Sequence, residues 1–549
     1  MRRDAELAED AAHLAAVADR LDPDPQRVRL RAALARHDPT TLHGLVAQCE
    51  PASLPAATSY LLGRALSHGG LRDEALAVLR RARRAHPGDP LLAVSLARAL
   101  REDPARGEEA ARHFEAALAL RPASVEVRHE LGRLLEDLGR LDEALELFRA
   151  SIELAPGDGH LHFHLGHLLT ALGARDEALE AYLAAVALDP DYAPAHNNLG
   201  GNYDERVDYE RALACYRRAT EADGSYSPAF RNLGGLEVEL GDLEGGLAHL
   251  LRALELAPDD AKAHNNLGNA LKETGDLAGA NGSYRRALEL DPDLASAHTG
   301  LGNVLSAEGD VAGAIESYRR AVELDPRQHK VHNDLGVNLL KSGDPDGAIA
   351  AYRRALELEP RFLFAQRNLA WALLQRGDLD GALAGFRRAI EIDPRDALSH
   401  ENLGAVLASR GEHAAAIEEY SRALEIEPES AIVRVRLGEA QWRAGDFEGA
   451  LVAARQALEA DPELARAHGL EGLALGSAGD VRAAIASFRR AVELEPAHAT
   501  FHANLGFALS EAGDVEGAIA AYERLLELDP GSAAARSTLE ELRRADGDG

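Results

Sequence analysis

The chain has 549 residues, and its 91 Asp and Glu against 60 Lys and Arg leave a formal charge of −31 at pH 7, an acidic excess that repels phosphate backbones and excludes non-specific nucleic-acid binding. Hydrophobic residues make up 46%, which supports a packed core and excludes a disordered chain. No run reaches the roughly 18 to 20 apolar residues of a spanning helix, MRRDAELAED lacks the apolar stretch of a signal peptide, and Cys49 and Cys215 are too few and too far apart for disulfide or thiolate-zinc scaffolds, so a folded cytoplasmic protein is expected.

Residues 1–55 read as degenerate helices broken by LDPDPQ and HDPTT, either an N-terminal cap or decayed repeats. From residue 56 the chain repeats itself. Residues 56–124 form two looser units, one marked by Leu62, Gly63, Ala75, Ala82 and Pro87, the other by Phe114, Ala117 and Pro122 with one extra residue near Pro104. Residues 125–532 hold twelve units in strict phase: a small residue recurs every 34 positions from Gly132 to Gly506, and a second small residue, Ala or Gly, follows each after twelve more. An aromatic such as Tyr284, Tyr318 or Phe386 usually stands four residues further on, so these rings are core positions by rule of the repeat. Residues 533–549 place Ala535, Leu539 and Leu542 on one stripe, the pattern of a capping helix, before a short tail.

Within a unit the spacing predicts a helical hairpin. In the unit from Ala261 to Leu294, AHNNLGNALKETG carries apolar and small residues at helical intervals, Gly275 supplies the left-handed residue that ends the helix, and Asp276 caps the next. Pro292 then stops the second helix. A lone hairpin leaves an apolar face that only its neighbour covers, so the units are expected to stack.

A 34-residue helix-turn-helix with Leu-Gly, Ala, Tyr or Phe, Ala and Pro in these phases resembles the tetratricopeptide repeat. The resemblance implies an all-α, right-handed superhelical solenoid of about fourteen repeats that acts as a protein-interaction scaffold and carries no catalytic residues or cofactor. The residues agree about chemistry. None of the four lysines completes a phosphate-binding loop, no HExxH, GxSxG or GxGxxG stands in a credible context, and about 55 residues outside the array are too few for a catalytic domain.

Two residues before the small position, where the resemblance places the concave groove, stand Asn198, Asn232, Asn266, Asn368, Asn402 and Asn504, with Asp334 in the same phase and Asn269 and Asn303 three residues along their helices. An amide has a donor and an acceptor, enough to hold a peptide bond in both directions. These residues are therefore expected to grip an extended protein or peptide segment; alternatively, they bridge stacked helices and set the pitch. AHNNLG at Ala195–Gly200 and AHNNLGNAL at Ala263–Leu271 look like the superhelical segment of O-linked N-acetylglucosamine transferases, whose groove asparagines hold substrate backbone. The catalytic region of those enzymes has no counterpart here, so a substrate-recruiting subunit or relic of a glycosyltransferase is the alternative role. Gly300, Asp334, Arg436 and Leu470 interrupt the ladder.

Eight histidines from His162 to His502 stand four residues before their unit's small residue and read as packing residues. In GHLHFHLGH, His160, His164 and His167 share one helix face, and Glu130 lies in the matching phase of the preceding unit. Three imidazoles and a carboxylate are a zinc-type donor set, which makes a metal- or pH-responsive binding protein the other alternative.

Overall fold

A computed structural model describes residues 54–547 except residue 69, together with five positions between 25 and 33. The expected cap over residues 1–55 falls, but for a few positions, outside them. Among the described residues there are α-helices, one 3-10 turn and no strands, and no helix is long and apolar enough to cross a membrane. First helices begin at 34-residue intervals from Val125 to Ala499, and second helices do the same from Leu141 to Val515. Upstream, Ala56–His68 pairs with Arg72–Ala85, and Pro90–Arg101 with Gly107–Leu120. The latter hairpin contains the 3-10 turn Pro104–Arg106 in its connection, and the helix Ala533–Gly547 closes the chain.

The all-α solenoid is built from these hairpins. Apart from the helix Ala261–Glu273, each first helix packs on the second helix that follows it, and each second helix packs on the next first helix. The chain divides into two compact units, Met1–Ala270 and Leu271–Gly549.

Short-range chemistry sets the hairpins. Gly275 has φ of +86°, a region closed to most side chains, and Asp276 accepts a hydrogen bond from the Gly279 backbone N–H at 2.9 Å, which satisfies one open donor of the new helix. The same pair of devices recurs at Gly309 and Asp310, and at Gly343 and Asp344. One turn departs from the pattern. Val207 adopts φ of 62° where other hairpins use Gly, a strained conformation for a β-branched residue.

The small residues and aromatics lock together within a hairpin. A Cβ on Gly166 would lie 2.7 Å from the Tyr182 ring, and one on Gly336 would lie 2.6 Å from Tyr352. Tyr182, Tyr318 and Tyr352 are accordingly buried, and burial pushes their phenol pKa values up. In the C-terminal unit, buried residues from Ala280 to Ala440 form one continuous core.

The eight phased histidines do more than pack. In each, the ring Nε2 stands 2.9–3.2 Å from the carbonyl oxygen of the proline six residues earlier, from His162 on Pro156 to His502 on Pro496. A carbonyl only accepts, so Nε2 carries the proton and donates. The bond ties the turn between hairpins to the first helix that leaves it.

Candidate functional site

The ladder residues lie on the first helices and are half-buried, except for Asn402, which is buried at 9% exposure. A side chain in this phase reaches back toward the residue three before the small position of the preceding hairpin. Asn232 Nδ2 donates to Asn197 Oδ1 at 2.9 Å, Asn368 Nδ2 to Asn333 Oδ1 at 3.0 Å, and Arg436 Nη1 pairs with Glu401 at 2.8 Å. Asn197 and Asn333 donate in turn to Asn198 and Asp334. These contacts form a relay that joins successive first helices, so Asn232 and Asn368 do the bridging that the sequence left as an alternative.

The relay stops where the preceding residue has no acceptor to offer. Asn266 follows Arg231, Asn402 follows Arg367, and Asn504 follows Gly469. Asn266 accepts from Asn265 but its Nδ2 has no hydrogen-bond partner among the described residues, and neither amide atom of Asn402 or Asn504 has one. Asn198 is held by Asn197 and Tyr182, and Asn303 Oδ1 accepts from the Tyr318 hydroxyl at 2.7 Å. Asn269 is engaged within the structure as well. Asp334 sits beside Lys330, and its carboxyl pKa is raised by burial. The structure thus separates a bridging group from a group with open amides, a distinction that no single unit's sequence reveals.

Packing explains the interruptions. The Tyr284 ring lies against Gly300, where a Cβ would overlap it, and so takes up the space that a ladder side chain occupies in other hairpins. At residue 454 the aromatic phase holds Ala454, and Leu470 moves under Gly438, where a Cβ would meet its Cδ2 at 2.5 Å. Leu470 is 2% exposed because it fills the volume that Tyr420 fills beside Gly404 one hairpin earlier.

The expected metal donors do not converge, and no cluster of three or more His, Cys, Asp or Glu capable of holding a metal exists among the described residues. His160 packs edge-on against Tyr192 with ring centroids 4.3 Å apart. His164 lies between His129, at 4.6 Å, and the Phe148 ring, at 5.8 Å and nearly parallel. His167 Nδ1 is 2.6 Å from Glu136, while Glu130 accepts from Arg98 Nε at 2.9 Å. Helix phase put the rings on one stripe, but aromatic packing and two local ion pairs divide them. Burial drives the His164 pKa down to about 3, whereas the hydrogen bond to Glu136 raises that of His167.

Sequence reasoning missed a second feature of the same helix face. Phe364, Leu398 and Ile432 occupy one phase, six residues before the small position of three successive hairpins, and are 55%, 44% and 55% exposed. Beyond them lies a cavity of about 370 Å³ lined by Glu439, Trp442, Arg443, Leu473, Phe501 and Asn504 among others. The signal was available in the sequence, since the other in-phase units place Glu, His, Pro, Lys, Ser, Arg or Thr there.

Comparison with known proteins follows the same repeat. Tetratricopeptide repeat models match residues 56–81, 105–159, 193–226, 265–329, 333–397, 407–473 and 470–533, and a TPR repeat model matches 166–203 and 234–275. Together they take in well over half of the chain. No curated protein gives a significant match. Solved structures similar to the chain include YrrB, described as a TPR protein with an unusual peptide-binding site, at 29% identity over 34% of this chain and 95% of that one, with a TM-score of 0.31. The Cut9-Hcn1 hetero-tetramer of the APC/C is 16% identical over 89% of this chain and 96% of that one, with a TM-score of 0.40. PilF of Pseudomonas aeruginosa is 22% identical over 38% and 96%, with a TM-score of 0.34.

Proposed function

Because the chain belongs to the tetratricopeptide repeat family, we propose that it is a non-catalytic interaction scaffold that holds an extended segment of a partner protein along the exposed face of its first helices. Asparagine amides grip the segment's backbone. The observation that carries this reading is the set of open amides at Asn266, Asn402 and Asn504, in the ladder phase but outside the relay. An amide held on a helix and lacking a protein partner offers a donor and an acceptor to the N–H and C=O of a passing chain. Backbone contacts recognise extended conformation more than side-chain identity, and neutral hydrogen bonds do not depend on the net charge of −31.

The test separates grip from bridging. Protein retained by the wild-type chain from a lysate of its native cells is purified and its affinity measured against two variants. Changing Asn266, Asn402 and Asn504 together to Ala removes three net hydrogen bonds of about 0.5 to 1.5 kcal/mol each, a loss of roughly 1.5 to 4.5 kcal/mol in affinity if they are independent, with the melting temperature held. Changing Asn232 and Asn368 to Ala strands the 6% and 7% exposed acceptors Asn197 and Asn333, and destabilises the fold by about 1 to 3 kcal/mol at each site. Wild-type affinity in a folded Asn266, Asn402 and Asn504 variant would place the binding surface elsewhere.

A further inference from the structure

We infer that the cavity between Trp442 and Phe507 receives an arginine side chain of the bound partner segment. This deepens the proposed scaffold role and rests on it, since it names one residue that the segment carries. The site is built on three consecutive first helices, Ala431–Arg443, Ala465–Ser477 and Ala499–Glu511, of which the middle one touches both others. Trp442 comes from the first of them, and its indole Nε1 donates to Ser477 Oγ on the middle helix at 2.9 Å, which fixes the ring. Phe507 comes from the third and is 63% exposed.

The middle helix leaves room between the two rings. A Cβ on Gly472 would lie 2.6 Å from the Phe488 ring, so no side chain fits there, and Gly476 has none to fill the gap. The result is a cavity of about 260 Å³ lined by Trp442 and Phe507, with the buried Ala484 and Phe488 beneath. Drug-sized ligands occupy about 300 to 1,000 Å³, so this volume suits a single side chain.

Charge selects which side chain. Glu511 is the one ionisable residue lining the cavity; it is exposed and has no ion pair among the described residues. It stands four residues after Phe507 on the same helix, so carboxylate and ring are neighbours on one face. Trp442, Gly476 and Glu511 also lie in the last turns of their helices, where open backbone carbonyls gather partial negative charge. Arg443 and the Arg466–Glu439 pair line the adjoining cavity of about 370 Å³, which shares Trp442, Leu473 and Asn504, and are not among the residues lining this one. A cation is drawn to an aromatic face, and a guanidinium, planar and weakly hydrated, leaves water more readily than an ammonium. The apolar stem of arginine lies against Leu473 and Val481 while its head meets Glu511.

The chain's two tryptophans give the test its readout. Trp371→Phe leaves Trp442 as the single indole, and its emission is followed while the full chain is titrated with acetyl-arginine amide, the uncharged isostere acetyl-citrulline amide, or acetyl-leucine amide. The arginine probe is expected to give a saturable change, and the other two to bind about tenfold more weakly, because neither offers a cation to the rings. Phe507→Leu keeps apolar volume but removes the aromatic face, and Glu511→Gln removes the charge. Each is expected to weaken the arginine probe about threefold and to leave the leucine probe unchanged. Both positions are exposed, and helical circular dichroism equal to wild type verifies the fold. Equal affinity for arginine and citrulline, equal affinity for arginine and leucine, or an arginine response untouched by the two changes together overturns the inference.

The probes are single residues, too short to span two ladder positions, so Asn266→Ala with Asn402→Ala is expected to leave the arginine titration unchanged. If the arginine probe fails while those asparagine changes weaken capture of the native partner, the pocket is overturned and the backbone grip stands. If the probe binds while the asparagine variant holds the partner at wild-type affinity, the pocket stands and the grip does not.

Discussion

At the scale of single residues, His164 shows how a side chain that looks like a ligand becomes part of the core. Its ring lies among His129, Phe148 and Phe163, and the neighbouring positive charges of His129, Arg133, His167 and His160 add to burial in depressing its pKa to about 3. In the unfolded chain it titrates near its ordinary value of 6.5. Between those values the unfolded state binds the extra proton, so stability falls as pH drops through this window. His167 acts oppositely, because the pair with Glu136 stabilises the fold when its ring is charged and is lost as pH rises through its raised pKa. His164→Phe is therefore expected to shrink the fall in melting temperature between pH 7 and pH 5. Parallel melting profiles for variant and wild type would show that the ring is not held neutral. Val207 makes a second prediction at this scale. With φ at 62° it bears a strain that glycine lacks, so Val207→Gly is expected to stabilise the protein by about 1 kcal/mol in a denaturant titration despite the lost side chain.

At the scale of the hairpin, the chemistry that is local in sequence was legible and the chemistry that depends on the path of the chain was not. Gly275 and Asp276 are neighbours whose roles follow from one residue's φ and one side chain's reach, and the structure has both. The bond from His298 to the carbonyl of Pro292, at 3.0 Å, depends on how the turn folds back over the helix start, which periodicity does not describe. The ladder divides for a similar reason. Asn232 and Asn266 have the same phase and the same Asn-Leu-Gly run, yet the first is tied to Asn197 whereas the position matching Asn197 in the hairpin before Asn266 holds Arg231, so the difference lies in the preceding hairpin. Phe364, Leu398 and Ile432 escaped because apolar residues in an amphipathic helix read as core until exposure is known. The histidine tie can be tested by His298→Leu, which keeps volume on the helix but removes the donor. The expected cost is about 0.5 to 1.5 kcal/mol, with faster amide hydrogen exchange in the turn from Asp291 to Leu294. Unchanged exchange there would mean that the turn is held by its backbone bonds alone.

At the scale of the whole molecule, the helix starts repeat at 34 residues without drift from Val125 to Ala499, which makes the hairpin the unit of insertion and deletion. Removing residues 295–328 excises one first and one second helix and leaves the flanking faces in phase. The product is expected to be soluble, with mean residue ellipticity close to that of the parent. Removing only residues 295–310 deletes a single helix and sets a second helix where a first helix belongs, so the large buried surface behind Tyr318 and Ile349 loses its match. This shorter deletion is expected to aggregate or melt far earlier, and similar behaviour of the two would contradict the hairpin as the repeating unit. Because stability is a sum over units and their interfaces, unfolding should also be broad along the array when followed by hydrogen exchange.

The regularity of the array raises a problem of addressing. A face that copied itself at every hairpin would let a bound chain sit equally well one step up or one step down, and the population would spread over all such placements. Gly300, Asp334, Arg436 and Leu470 break that translational equivalence, each for a packing or pairing reason of its own. They act as index marks. Under the scaffold role proposed above, a segment whose features match the interruptions would have one placement of lowest energy and a featureless one would slide, so the departures from the repeat, rather than the repeat itself, would set where a partner is held.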